Sequence, residues 1–322
     1  MKKYDVVALG ELLIDFTENG ISEQGNPVFE ANPGGAPCNV LAMLQKLGKK
    51  TAFIGKVGND MFGGQLSDAV KSAGIDVSSL VFDYETPTTM AFVHTLQGGD
   101  REFSFVRNPG ADMMLHKSEI NEEILKSARI FHFGTLSSTH DGVREATRYA
   151  VQIAKENGAI ISFDPNLRPP LWKSLDAAKR EIEYGFEMCD ILKISDNEIE
   201  FMTGTDDYDA AVRGLMKRYN IRLAFATLGK KGSRAYFGDV SAKRCGFSVR
   251  SVETTGAGDT FCACALNYIL ENGIEKLTED RLIELLTFAN AAAALVTTRK
   301  GALKVMPERK EINKLIGGYE NA

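Results

Sequence analysis

Short apolar runs alternate with helical stretches along most of the 322 residues, and no other feature narrows the possible folds as far. The runs at 6–9, 51–57, 128–133, 160–163, 191–194 and 223–227 are too short for helices and read as buried strands. The stretches between them carry the helical period. In 37–47, Pro37 suits a first turn, Val40, Leu44 and Leu47 share a face, and Gly48 supplies the stop. Further helices are expected at 61–73, 143–156, 258–270 and 282–296. This order predicts an α/β chain: a three-layer αβα sandwich around a mostly parallel central sheet.

Two segments break the alternation. Residues 12–30 hold extended pieces around a turn at Asn19-Gly20, and 88–106 read as a hairpin with its turn at Gln97-Gly98-Gly99-Asp100. Together they predict a small β-sheet outside the main one. Ligands of open α/β sheets bind at the carboxyl ends of the strands, where an extra sheet would serve as a lid that excludes water. The expected division is a core of 1–10, 35–87 and 108–322, with a lid of 11–34 and 88–107.

An apolar fraction of 44%, a charged fraction of 25% and a net charge of −5 describe a globular protein without the basic footprint of a nucleic-acid binder. No apolar run reaches the roughly 18 residues of a membrane span, and the start of the chain lacks a signal-peptide core, so a cytoplasmic protein without membrane partners is expected. Five scattered cysteines suit neither a disulfide framework nor a zinc site; Cys262 and Cys264 read as buried small side chains. The four histidines show no ligand spacing.

The sharpest motif is Thr254-Thr255-Gly256-Ala257-Gly258-Asp259-Thr260-Phe261, a Gly-Ala-Gly turn running into an apolar helix. Glycines let successive N–H groups converge, and a helix N-terminus adds positive potential; together they make an anion hole. Phosphoryl transfer needs such a hole, and Asp259 at its edge can accept a proton from an attacking hydroxyl. The plain alternative is a helix entry with Asp as its cap. The motif is neither a Walker A loop nor a dinucleotide fingerprint.

Other polar clusters follow expected strands. Asn32-Pro33-Gly34-Gly35-Ala36-Pro37-Cys38-Asn39 joins the lid to the first helix; Gly34 and Gly35 leave the backbone open to hydroxyl groups, and Asn39 offers both a donor and an acceptor. Asp15 can accept two sugar hydroxyls. Arg168, in Asp164-Pro165-Asn166-Leu167-Arg168, can steady a transferring phosphate. Lys193 and Glu198 lie around a further strand end, with Glu198 a candidate for water-mediated Mg²⁺. Thr227, Gly229 and Gly232 belong to a glycine loop able to line a nucleotide. Each cluster alone is equally consistent with an ordinary loop.

Taken together these residues resemble the ribokinase/PfkB family of carbohydrate kinases nearly end to end. The segment with Gly34, Gly35 and Asn39 is similar to the family's N-terminal sugar-binding signature, and the stretch from Thr255 to Phe261 to its C-terminal signature. The resemblance implies a ribokinase-like fold, ATP and Mg²⁺ as cofactors, sugar contacts from Asp15, Gly34, Gly35 and Asn39, an anion hole from Gly256, Ala257 and Gly258, and Asp259 as base. It implies nucleotide contacts from Lys193, Gly258, Asn290 and the glycine loop, and a homodimer formed through the lid. Two positions depart from the pattern. Ser195 opens the family's N-x-x-E motif, and Glu253 stands where potassium-dependent members carry Asp, so potassium is left open as a further cofactor beside ATP and Mg²⁺.

Asn32-Pro33-Gly34-Gly35-Ala36-Pro37, Arg107-Asn108-Pro109-Gly110-Ala111-Asp112-Met113 and the loop around Arg168 look most like fructokinases, with Arg107 expected to reach the sugar or the phosphate. The expected reaction is phosphorylation of fructose to fructose 6-phosphate. Kinases for 2-keto-3-deoxygluconate, ribose or a nucleoside stay open, as does a non-catalytic sugar-binding or regulatory protein. A nicotinamide-dependent dehydrogenase is disfavoured by the missing fingerprint.

Overall fold

The computed structural model describes residues 2–95 and 101–320. The described strands are β1 (Tyr4–Leu9), β2 (Leu13–Ile21), β3 (Pro27–Gly34), β4 (Thr51–Gly58), β5 (Asp76–Asp83), β6 (Met90–Thr95), β7 (Arg101–Val106), β8 (Ala128–Gly134), β9 (Ile160–Asp164), β10 (Ile191–Ser195), β11 (Leu223–Thr227), β12 (Ser233–Phe237) and β13 (Val240–Arg244). Nine form one sheet in the order β13-β12-β11-β10-β9-β8-β1-β4-β5. The stretch from β11 to β5 is parallel, and β12 and β13 extend it as an antiparallel edge.

The apolar runs become central strands because both faces of the sheet are covered. Val6 and Ala8 join the core shared with the helices Ala36–Lys46, Ala257–Asn272 and Glu279–Val296, whereas Val7 and Leu9 join the core shared with Asp141–Glu156 and Leu175–Met188. Three layers result, as expected for a αβα sandwich.

The remaining strands form a separate sheet, β3-β2-β6-β7. Its position follows from connectivity. β1 ends at Leu9 and β2 starts at Leu13; β3 ends at Gly34 and a helix starts at Ala36. The small sheet therefore rises from the carboxyl end of β1. Phe16 stacks on Phe92 at 4.9 Å and meets Phe62 edge-on at 5.6 Å, which fastens it to the helix Met61–Ser72.

One expected turn falls elsewhere. The chain reverses at Ser22–Asn26, where the Ser22 N–H donates to the Asn26 carbonyl (2.8 Å). Gly20, at φ 96°, instead sits within β2 where the pairing register shifts, and so marks a bulge. The other expected turn, at residues 97–100, lies outside the described residues.

Candidate active site

The Gly-Ala-Gly turn opens the 16-residue helix Ala257–Asn272, with Gly256 as its N-cap. Gly256 has φ 79°, and a Cβ there would fall 2.8 Å from that of Ala302. Only glycine meets both demands. The unpaired N–H groups of the first helical turn, together with the helix dipole, make this end anion-seeking.

Asp259 lies in that first turn and is buried. Its Oδ2 accepts a hydrogen bond of 2.8 Å from Asn39 Nδ2, although 220 residues separate the two in sequence. Asn39 sits in the helix Ala36–Lys46, which starts where the small sheet ends. Its Oδ1 is buried and has no protein hydrogen-bond partner. A buried acceptor beside a buried carboxylate suits a hydroxyl-bearing ligand. Burial raises the Asp259 carboxyl above its ordinary range, opposed by the Asn39 hydrogen bond and the charges of Lys193 and Arg168.

Beneath the turn, Lys193 Nζ pairs with Asp164 at 3.1 Å, both side chains buried. A Cβ on Gly258 would lie 3.1 Å from that ammonium, so the cation rests against the glycine turn. Burial alone would discharge Lys193, but Asp164, Glu198 and Asp259 outweigh it and raise its pKa, leaving it cationic. Burial raises Asp164 to about 7, with Lys193 opposing. Arg168 is half-buried in the loop after β9, and its guanidinium donates to the Leu167 carbonyl at 3.1 Å.

Glu198 is mainly a structural brace. Its Oε2 accepts from Ser195 N–H and its Oε1 from Leu167 N–H, each at 2.8 Å, within a reciprocal capping box. Among the described residues no group of three or more His, Cys, Asp or Glu is arranged to hold a metal. The oxygen-only chemistry of Asp164, Glu198 and Asp259 nevertheless suits Mg²⁺, which keeps several of its waters.

On the sugar side, Asp15 is in β2, paired in register with Asn32 of β3. A Cβ on Gly34 would fall 2.2 Å from Asp15 Oδ2, so Gly34 is required for the carboxylate to lie flat against the strand. Gly35 is similarly pressed on the Glu11 carbonyl. The glycine pair thus serves close packing as well as open backbone.

Arg107, expected to reach the sugar or the phosphate, is engaged within this chain. It is buried, and its Nε and Nη2 pair with Asp112 (2.9 and 2.7 Å), Nη1 with Thr139 Oγ1 (2.8 Å), and Nη2 also with the Leu136 carbonyl (3.1 Å). Thr89 Oγ1 donates to the same Asp112 at 2.5 Å. Arg107 therefore secures both crossings of β6 and β7 to the core.

On the nucleotide side, Thr227 ends β11 beside Ser195 of β10, and Gly229 and Gly232 flank the short turn before β12. Asn290 is buried; Nδ2 donates to the carbonyls of Arg244 and Cys245 (both 3.3 Å), and Oδ1 accepts from Ser233 Oγ (2.8 Å). Its amide holds the framework next to the loop.

Three contributors were not singled out from sequence: Asp164 as partner of Lys193, Asp112 as partner of Arg107, and Glu11, whose Oε1 accepts the Ala36 N–H at 2.8 Å at the start of the Asn39 helix. Asp164 and Asp112 lay within quoted motifs; their roles became visible only through their partners.

Comparison with known proteins fits this geometry. The profile of the pfkB family carbohydrate kinases matches residues 3–309. The chain is 41% identical over 315 residues to fructokinase-2 of Solanum lycopersicum, covering 97% of this chain and 96% of that protein. It is 42% identical over 317 residues to a probable fructokinase-7 of Arabidopsis thaliana, covering 97% and 92%. Among solved structures, a fructokinase from Xylella fastidiosa with bound ATP superposes with a TM-score of 0.88 at 28% identity, covering 99% of this chain and 100% of that one. A double mutant of the Vibrio cholerae fructokinase, bound to fructose, ADP and potassium, gives 0.86 at 27%, covering 98% and 99%. A glycine turn at a helix start, a buried carboxylate and a family match across nearly the whole chain agree: this protein belongs to the pfkB family of carbohydrate kinases.

Proposed function

We propose that the chain is a fructokinase, transferring the terminal phosphate of ATP to the primary hydroxyl of D-fructose to give fructose 6-phosphate and ADP. The observation that carries this is the Asn39–Asp259 hydrogen bond with Asn39 Oδ1 left for a ligand. The substrate assignment is supported by the identity to plant fructokinases.

Fructose binds between the small sheet and the carboxyl ends of the main strands, oriented by Asp15, Asn39 and the backbone at Gly34 and Gly35. The small sheet, with lid bounds at 11–34 and 88–107, closes over it and excludes water. Asp259 takes the hydroxyl proton as the oxygen attacks phosphorus in line; the bond to ADP breaks, and ADP leaves with the electron pair. The N–H groups at Gly256, Ala257 and Gly258, with Lys193 and Arg168, meet the charge on the transferring group. Thr227, Gly229, Gly232 and Asn290 line the nucleotide, beside Lys193 and Gly258. Glu198 would hold Mg²⁺ through water, and the ion would supply charge neutralisation on the phosphates. Potassium stays open as a further cofactor: a Vibrio cholerae fructokinase double mutant holds it, and here Glu253, whose Oε2 accepts the Gly301 N–H at 2.8 Å, stands in place of Asp.

Exposed Ile21, Val28, Phe29 and Val106 on the small sheet support a homodimer through this sheet, to be checked by light scattering. A cytoplasmic location is supported by five free cysteines. Among the described residues no helix is long and apolar enough to cross a membrane.

The test is ADP release from Mg-ATP with fructose, 2-keto-3-deoxygluconate, ribose and adenosine. Preference for fructose is expected. Preference for another acceptor would replace the substrate while keeping the mechanism, and release with none would overturn the catalytic assignment.

A further inference from the structure

The helix Ala36–Lys46 carries Asn39 into the site, yet its own sequence does not cap it. Gly35, the N-cap, has no side chain to accept an N–H, and Pro37 in the first turn has no N–H to give. The Asn39 N–H closes that turn on the Gly35 carbonyl at 3.1 Å. The Ala36 N–H then needs an acceptor from another segment. Glu11, in the link between β1 and β2, supplies it: the residue is buried, and its Oε1 accepts that N–H at 2.8 Å. The same link presses on the helix start twice more. A Cβ on Gly35 would fall 2.4 Å from the Glu11 carbonyl oxygen, and a Cβ on Gly10 would fall 2.5 Å from Pro37 Cγ. Three contacts thus fix where the helix begins, in the turn from which Asn39 gives Nδ2 to Asp259 and keeps Oδ1 unpaired.

We propose that Glu11 is a positioning residue for the phosphorylation reaction: it caps the helix Ala36–Lys46 from outside and thereby sets the angle at which Asn39 meets both the sugar hydroxyl and Asp259. This rests on the sugar-kinase assignment of the site. Glu11 touches no reacting atom, and its effect passes through one helical turn. A shift of the Ala36 N–H rotates that turn, and Asn39 turns with it. Its amide reaches Asp259 over a single hydrogen bond, so a small rotation is enough to weaken it. That bond is one of the influences that favour the Asp259 carboxylate, together with the charges of Lys193 and Arg168. Losing it therefore acts twice, on sugar affinity through Asn39 and on the ionisation of the base. The groups facing Glu11 are Arg107 and Asp112, from the segment after β7, and Cys38 of the helix itself. Arg107 is already paired with Asp112, and burial keeps the Cys38 thiol neutral, so the cap on Ala36 falls to Glu11.

The test is steady-state kinetics across pH on the full chain with Mg-ATP and D-fructose. Glu11→Ala is expected to raise KM for fructose about 10-fold, the loss of roughly one hydrogen bond, with KM for ATP little changed. The acid limb of kcat should move to higher pH, since Asp259 loses the Asn39 bond. Glu11→Gln keeps an oxygen for the Ala36 N–H and removes the charge, so KM should stay near that of the unaltered protein and the limb should not rise. Glu11→Asp keeps the charge but is one methylene too short, and it should resemble Glu11→Ala; it carries the test if Glu11→Ala fails to fold. In an Asn39→Ala background, Glu11→Ala should add nothing further to KM. An unchanged KM and acid limb in Glu11→Ala and Glu11→Asp would overturn the proposal. So would equal damage from Glu11→Gln, or full additivity with Asn39→Ala. Absence of phosphate transfer to any sugar by the unaltered protein would instead overturn the assignment on which it rests.

Discussion

Asp259 is held between opposing influences. Burial favours its neutral form, and Asn39, Lys193 and Arg168 favour the carboxylate that a base requires. Asp259→Asn keeps the size and removes the base, so kcat should fall by roughly 10²- to 10⁴-fold with KM for fructose little changed, as steady-state assays would show. Circular dichroism should match the unaltered protein; a lost fold would leave the role of Asp259 unsupported. Because the base must be ionised, the rate should rise with pH through a value above the ordinary carboxylate range. Lys193→Met removes a charge that favours ionisation, so the acid limb of the pH–rate profile should move to higher pH. An unmoved limb would separate Lys193 from Asp259.

At the scale of elements, the site depends on how strand ends are tied. The Ser195–Glu198 capping box starts the helix Asp196–Thr203, and the same Glu198 reaches across to Leu167 N–H in the loop carrying Arg168. Glu198→Ala should cost roughly 1–3 kcal/mol from the lost cap and the unpaired N–H groups, measurable by urea unfolding. Near-zero cost would show that water replaces the carboxylate. Asp112 is more exacting: its pair with Arg107 is almost fully buried, with both side chains 2% exposed. Asp112→Ala leaves a buried cation and should cost about 3–5 kcal/mol. The same change should loosen the base of the small sheet, raising KM for the sugar more than it lowers kcat.

At the scale of the whole molecule, Glu11 links protonation to stability. Burial raises its carboxyl to about 7, with the N–H of Ala36 opposing. The native state then keeps a proton that the unfolded chain releases near pH 4.5, so this group makes stability fall as pH rises from about 4.5 to about 7. The full effect is about 3 kcal/mol at most. Glu11→Gln keeps an acceptor for Ala36 N–H and removes the titration. Thermal melts across that window should therefore show a smaller decline with rising pH than the unaltered protein; parallel curves would assign the slope to other groups.

The sheet was legible wherever strands are buried on both faces, because residues such as those of β1 and β4 must then be apolar almost throughout. β5 and the β12–β13 edge were not, since Ser78 and Ser79 or Arg234 and Lys243 interrupt the apolar pattern where one side meets water. Gly20 misled for a related reason: an Asn-Gly pair suits a turn or a bulge, and the pairing of β2 with β3 decides between them. The sequence by itself determined the layered α/β class and the glycine turn that opens the helix Ala257–Asn272, because both depend on local patterns: strand-length apolar runs and glycines at a helix start. It also nominated Asn39 and Asp259, each from its own motif. Only the tertiary structure decided that these two share a hydrogen bond and that Lys193 lies under Gly258. Those are contacts between distant segments, set by the order in which strands enter the sheet, and nothing in a residue's neighbours along the chain encodes its partner across it.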